Sequence, residues 1–146
     1  MKKMKIALLA LVLSCVLPIL NVKAVDGFIG LLGVNIPRSS SSWYYTGLHY
    51  NKTQDSKQWY YNSGAVDQLT GNTDQKISGR TWDGKSNSKW ITLTKNTYVT
   101  WGDAAISSGL NFFRGKYGMD IKRNSSALAV ASHSGSWYLN ENKKPR

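Results

Sequence analysis

Residues 89–101 read KWITLTKNTYVTW, and the alternation within them decides the fold class. Ile91 and Leu93 share one parity, while Trp90, Thr92 and Thr94 take the other. An extended chain here presents one aliphatic face and one mixed face. Lys95-Asn96 makes a turn into Thr97-Tyr98-Val99-Thr100-Trp101, so the stretch predicts a hairpin.

The same period recurs on either side. Tyr117-Gly118-Met119-Asp120-Ile121-Lys122 alternates most cleanly: Tyr117, Met119 and Ile121 are expected to point inward, and Asp120 and Lys122 to stay wet. Further strands are expected over Trp43 to Tyr50, Lys57 to Asn62, Ala127 to Ser132 and Ser136 to Leu139. Gly, Asn, Asp and Ser clusters separate them. Nothing from Val25 onward carries a long helical period, although Asp103 to Gly109 has the caps of one short helix and reads equally well as a loop. Many short strands in a chain of this size predict an all-β fold, a small antiparallel β-sandwich or barrel.

The N-terminus has the pattern of a secretory signal: Lys2, Lys3 and Lys5, an apolar run from Ile6 to Leu20, and Val22-Lys23-Ala24 as a cleavage site. Residues 1–24 are therefore read as a signal peptide, 25–139 as a single β-rich domain and 140–146 as a polar tail. Ser14, Cys15 and Pro18 interrupt the apolar run, which falls short of the ~20 residues a membrane span needs. A lipid anchor on Cys15, preceded by Val12-Leu13-Ser14, is the weaker alternative. Cys15 is the only cysteine, so a mature domain starting at Val25 folds without disulfides. Small exported domains from strongly oxidising compartments usually carry such staples, and the composition leans toward a bacterial exporter. The Asn51-Lys52-Thr53 and Asn124-Ser125-Ser126 sequons are read as chance matches.

Removing 24 of the 146 residues leaves 122, enough for one domain that buries about two thirds of its unfolded surface. The whole chain carries 19 basic residues against 8 acidic ones; without Lys2, Lys3, Lys5 and Lys23 the count is 15 against 8, or +7. An exported basic domain is drawn to anionic wall polymers, acidic glycans and anionic membrane surfaces. Nucleic acid suits the same charge but is the less natural partner outside the cell. The apolar, glycine-spaced segment Phe28 to Ile36 is read as an edge or packing strand rather than as a membrane-inserting peptide.

The chain holds more rings than one buried layer needs. In an extended Trp43-Tyr44-Tyr45 triplet, Trp43 and Tyr45 share a face and Tyr44 takes the other; Trp59-Tyr60-Tyr61 behaves alike. Trp90 lies opposite Ile91 and Leu93. Cross-strand ring pairs account for part of this surplus by stabilising the sheet, at about 0.2 to 1 kcal/mol each. The functional reading is an aromatic platform beside cations. Lys76, Arg80, Lys85, Lys89 and Lys95 interleave with Trp82 and Trp90, and Asp83 is the one counter-charge between Lys76 and Lys95. Rings stack on the apolar faces of sugars or bases, and cations hold phosphates or carboxylates. The candidate ligand-binding residues are Trp43, Tyr45, Trp59, Tyr61, Arg80, Trp82, Lys85, Lys89 and Trp90.

Catalysis finds less support. Two histidines, one glutamate and seven aspartates form no nucleophile elbow, zinc spacing or phosphate loop. His49 and His133 are left as an acid–base pair for a small hydrolase or nuclease, should the fold bring them together. No metal ligand, cofactor or catalytic residue is assigned, and the oligomeric state is not legible.

Residues Lys89 to Val99, Ser108-Gly109-Leu110 and Ser134-Gly135-Ser136-Trp137 together resemble a group of small secreted proteins from Gram-positive bacteria whose function is not established. The resemblance covers the last third of the chain and implies a small, secreted, β-rich protein. It supplies no catalytic or ligand residues. The expectation is a non-enzymatic exported β domain that binds an anionic wall polymer or glycan. A bacteriocin-like protein acting on a membrane or wall is the alternative.

Overall fold

The computed structural model describes residues 28–51, 57–101, 115–139 and 144–145. Every regular element within them is a strand: β1 (Phe28–Ile36), β2 (Tyr44–Tyr45), β3 (His49–Asn51), β4 (Trp59–Asp67), β5 (Ile77–Trp82), β6 (Ile91–Thr92), β7 (Thr97–Thr100), β8 (Gly115–Arg123) and β9 (Ala131–Tyr138). One sheet has the order β1-β9-β4-β7; the other runs β2-β8-β5-β6, with β3 also paired to β8. The two antiparallel sheets pack together as a small β-sandwich. The expected signal segment with Cys15, the expected helix over 103–109 and most of the tail lie outside the described residues.

Strand period explains which side chains fill the core. Along β9, Ala131, His133, Gly135 and Trp137 are buried and the residues between them are not. On β8, Tyr117, Met119 and Ile121 point inward as their alternation predicts, and Ile77 on β5 meets the same core. Full burial of such aliphatic side chains stabilises the fold by about 1.5–3 kcal/mol each. Tyr60, Trp101 and Trp137, all fully buried, fill its centre.

Two bulges change the parity. In β4 the pairing with β9 shifts between Asn62 and Gly64, whose φ is 134°. Tyr60 and Asn62 face inward before the shift, and Ala65 and Asp67 after it, because the extra residue turns the pleat over. In β1 the shift falls between Leu31 and Val34. Leu32 is thrown outward there, and the Gly33 N–H donates to Ser134 Oγ at 3.1 Å. Phe28–Ile36 is thus an edge strand of its sheet, as the sequence suggests, with Leu31 and Ile36 buried.

Three expectations need correction. The 89–101 stretch is not a hairpin: Lys95-Asn96 does turn, with Asn96 at φ 56°, but β6 pairs with β5 and β7 pairs with β4 in the other sheet. The turn is a corner between sheets. Asn62 holds it, donating from Nδ2 to Leu93 O at 2.6 Å and accepting at its own carbonyl from Asn96 N at 2.7 Å. The expected strand over 43–50 breaks into β2 and β3 at Gly47, whose φ of 82° is left-handed. The two strands expected over 127–132 and 136–139 are one, β9, which begins at Ala131 and runs on through Gly135.

Two polar groups cross the interior. Arg123 on β8 donates from both terminal nitrogens to Asp67 Oδ2 on β4, at 3.0 and 3.1 Å, and to Ala129 O at 2.8 Å. The other carboxylate oxygen accepts from the Leu69 and Thr70 backbone N–H groups. Those backbone donors above all, with Arg123, hold the Asp67 carboxyl below the usual range. Nearby, the buried Tyr60 hydroxyl hydrogen-bonds His133 Nε2, and His133 Nδ1–H donates to Gly64 O at 2.7 Å. Burial pushes the imidazole pKa down to about 4, so this histidine is neutral.

Candidate functional site

The outer face of the five-stranded sheet is set by the parity that β8 does not spend on the core. Lys116, Gly118, Asp120 and Lys122 alternate with the buried Tyr117, Met119 and Ile121. Register then assigns their neighbours. Tyr50 on β3 lies opposite Lys116, Tyr45 on β2 opposite Asp120, and Arg80 and Trp82 on β5 opposite Asp120 and Gly118. Trp43 precedes β2, and Trp90 precedes β6.

These side chains interlock. The Arg80 guanidinium carbon sits 5.0 Å from the centre of the Trp43 ring and 4.7 Å from that of Trp90, and the two rings stand edge to face at 6.3 Å. Lys122 Nζ lies 4.6 Å from the Trp90 ring. Cation–π contacts of this kind contribute about 0.5–1 kcal/mol at exposed positions. Arg80 Nε donates to Asp120 Oδ2 at 2.9 Å. Tyr45 and Trp82 form a second ring pair, centres 5.6 Å apart. They settle over Gly118, where a Cβ would meet Tyr45 Cε2 at 2.6 Å and Trp82 Nε1 at 2.7 Å. A glycine there lets both rings lie down on the strand.

The result is a strip of rings with a neutralised ion pair at its centre and a lysine on β8 at each end. Trp43, Tyr45 and Tyr50 remain 46%, 41% and 48% exposed. Exposed rings of this kind can stack on flat apolar groups, and the flanking cations can hold anionic ones.

Five of the nine residues singled out in the sequence meet here: Trp43, Tyr45, Arg80, Trp82 and Trp90. Lys85 and Lys89 are exposed beside them, Lys85 in the turn that Asp83 Oδ1 caps by accepting from its N–H at 2.9 Å, and Lys89 next to Trp90. Trp59 and Tyr61 do not join them, because β4 belongs to the other sheet. Tyr61 instead heads a tyrosine row with Tyr98 at 4.9 Å, itself 5.8 Å from Tyr138, and Lys144 Nζ lies over Tyr98. The nine are therefore two sets on opposite sides of the sandwich.

Asp120 corrects the expectation of a wet side chain: it is 3% exposed, covered by the Tyr45 and Arg80 that register sets beside it. Burial raises its carboxyl pKa, against the opposing pull of Arg80. Sequence reasoning missed Gly118, Tyr50 and the roles of Lys116 and Lys122. The even parity from 116 to 122 was the available signal.

The histidines are held separately. His133 is enclosed by Tyr60 and Gly64, while His49 lies edge-on to Trp137 at 5.9 Å and hydrogen-bonds Thr46 O through Nε2. Trp137 is four residues from His133 along β9, about 13 Å of strand. Among the described residues, no three His, Cys, Asp or Glu side chains cluster as metal ligands. No protein-family model, curated protein or solved structure matches the chain.

Proposed function

We propose that this is an exported, non-enzymatic binding protein that holds an anionic envelope polymer or glycan on the outer face of its five-stranded sheet. The observation that carries the reading is the convergence of Trp43, Tyr45, Trp82 and Trp90, from separate segments, on the face that Lys116 and Lys122 share. Rings that serve only the core would lie between the sheets, as Trp101 and Trp137 do. The signal pattern and the net positive charge support an envelope partner. So does the resemblance of the last third to small secreted Gram-positive proteins.

The membrane-active alternative draws on the Phe28 to Ile36 segment, but β1 makes a long ladder with β9 and buries Leu31 and Ile36. Insertion into lipid would first have to strip it from the sheet. The acid–base alternative draws on His49 and His133, whose separate partners give it no support.

Retention of the purified chain on isolated cell walls across a salt series tests the proposal. Salt is expected to weaken binding, as it screens exposed charge. Trp82→Ala or Trp90→Ala is expected to weaken it by about 1–3 kcal/mol, the range for one stacked ring. Retention indifferent to salt and to both substitutions would reject the proposal.

A further inference from the structure

The strip does not end at Lys122. Two residues farther along the same parity, Asn124 donates its backbone N–H to Lys76 O at 3.0 Å, and a cleft of about 430 Å³ opens beside the pair. Lys76, Lys95, Thr92, Thr94, Asn124 and Asp74 help to line it. We propose that this cleft is a phosphate subsite and that the polymer lying on the aromatic strip is linked through phosphodiesters. The inference rests on the binding reading above and names the ligand's linkage.

Three observations carry it. First, donors dominate the cleft, and the one carboxylate among its described lining residues, Asp74, is paired loosely with Lys95. Ser78 Oγ donates to Asn124 Oδ1 at 2.6 Å, which leaves the NH2 as the end of the amide turned away from Ser78. Thr92 and Thr94 add hydroxyls. Lys95 Nζ is tethered over the rim by Thr73 O at 3.4 Å and by a loose, exposed ion pair with Asp74 at 3.8 Å, so a stronger anion can take its charge at little cost.

Second, the available cations are lysines. Arg80, the one arginine on the strip, is committed to Asp120 and to two rings. With no free guanidinium among the described residues of the strip to clamp a planar group, the lysine ammoniums act as point charges, which hold a phosphate oxygen from any direction while the neighbouring hydroxyls donate to the others.

Third, the spacing fits a repeat. Lys122 stands two residues from the level of Asn124 and Lys76, about 7 Å along the strand. That is comparable with the step between phosphates joined through a short polyol. One phosphate against Lys122 would bring the next into the cleft, while the unit on the other side of Lys122 lies against Trp90, which the register sets level with Arg80 and Asp120.

Titration of the full chain with soluble poly(glycerol phosphate) tests this, with polygalacturonate, a single-stranded oligonucleotide and phosphatidylglycerol vesicles as competitors at one salt concentration. Poly(glycerol phosphate) is expected to bind most tightly. Lys76→Gln/Lys95→Gln should weaken it by about 25-fold, about fivefold for each cation, and leave polygalacturonate binding unchanged; both side chains are exposed, so the melting temperature should stay put. Equal affinity for polygalacturonate, or no loss in the double variant, would overturn the subsite. Tighter binding of the oligonucleotide or the vesicles would overturn the assignment to a wall-type polymer. Loss of wall retention in Trp90→Ala but not in the lysine variant would reject this inference alone; indifference to both would reject the binding face itself.

Discussion

Arg80 Nε donates to Asp120 Oδ2 at 2.9 Å, which keeps the middle of the aromatic strip neutral while Lys116 and Lys122 flank it. The pair is asymmetric: the Arg80 side chain keeps 21% of its exposure and that of Asp120 only 5%. Asp120→Asn preserves an acceptor for Nε and frees the guanidinium charge. Polyanion affinity is expected to rise about fivefold, the worth of one cation near an anionic surface. Stability should change by less than about 1 kcal/mol, because the buried carboxylate is not at ease in its charged form. A titration beside a denaturant melt checks both; weaker binding by the variant would contradict the account.

Two glycines predict opposite phenotypes. Gly135→Ala would set a Cβ against the Tyr60 hydroxyl and 2.7 Å from the Tyr61 carbonyl, backbone that cannot yield, at a cost of about 3 kcal/mol. At Gly118 the three atoms nearest an added Cβ all belong to the Tyr45 and Trp82 side chains, which can lift away from the strand. Gly118→Ala should fold with little loss and bind poorly. Thermal melts and wall retention on the two variants separate the outcomes.

His133 makes stability depend on pH. Its folded pKa, about 4, lies below the ordinary 6.5, so between those values the unfolded chain binds more protons and stability falls as pH falls. The full window of about 2.5 pH units corresponds to about 3 kcal/mol. Urea melts at pH 7 and pH 5 should show the loss, and His133→Gln should flatten it. Below pH 3.8 the Asp67 carboxyl, held down in the fold, adds a second loss as it protonates.

Arg123 and Asp67 join β8 to β4 across the sandwich with side chains 4% and 6% exposed. Removing one partner strands a buried charge, and Arg123→Ala is expected to cost about 3–5 kcal/mol. Loss of cooperative unfolding in denaturant would register it.

The fold class was legible because alternation in Tyr117–Lys122 and Lys89–Trp101 reports strands wherever they pair. Pairing itself was not legible. Lys89–Trp101 looks like a hairpin locally, and only the Asn62 bonds to Leu93 and Asn96 explain why its arms part to different sheets. The candidate site divides along the same line. Trp43, Tyr45, Arg80, Trp82 and Trp90 could be suspected from ring surplus and charge, but whether Trp59 and Tyr61 join them depends on which sheet takes β4. Asp120 read as wet because its cover comes from distant segments, Tyr45 and Arg80.

The ligand face itself is tested most directly by following the indole and amide resonances of the labelled chain as solubilised wall polymer is added. The account predicts shifts at the Trp43, Trp82 and Trp90 indoles and along Lys116–Lys122, with Trp101 and Trp137 unmoved. Shifts confined to Tyr61, Tyr98 and Tyr138 on the opposite sheet, or none anywhere, would contradict it.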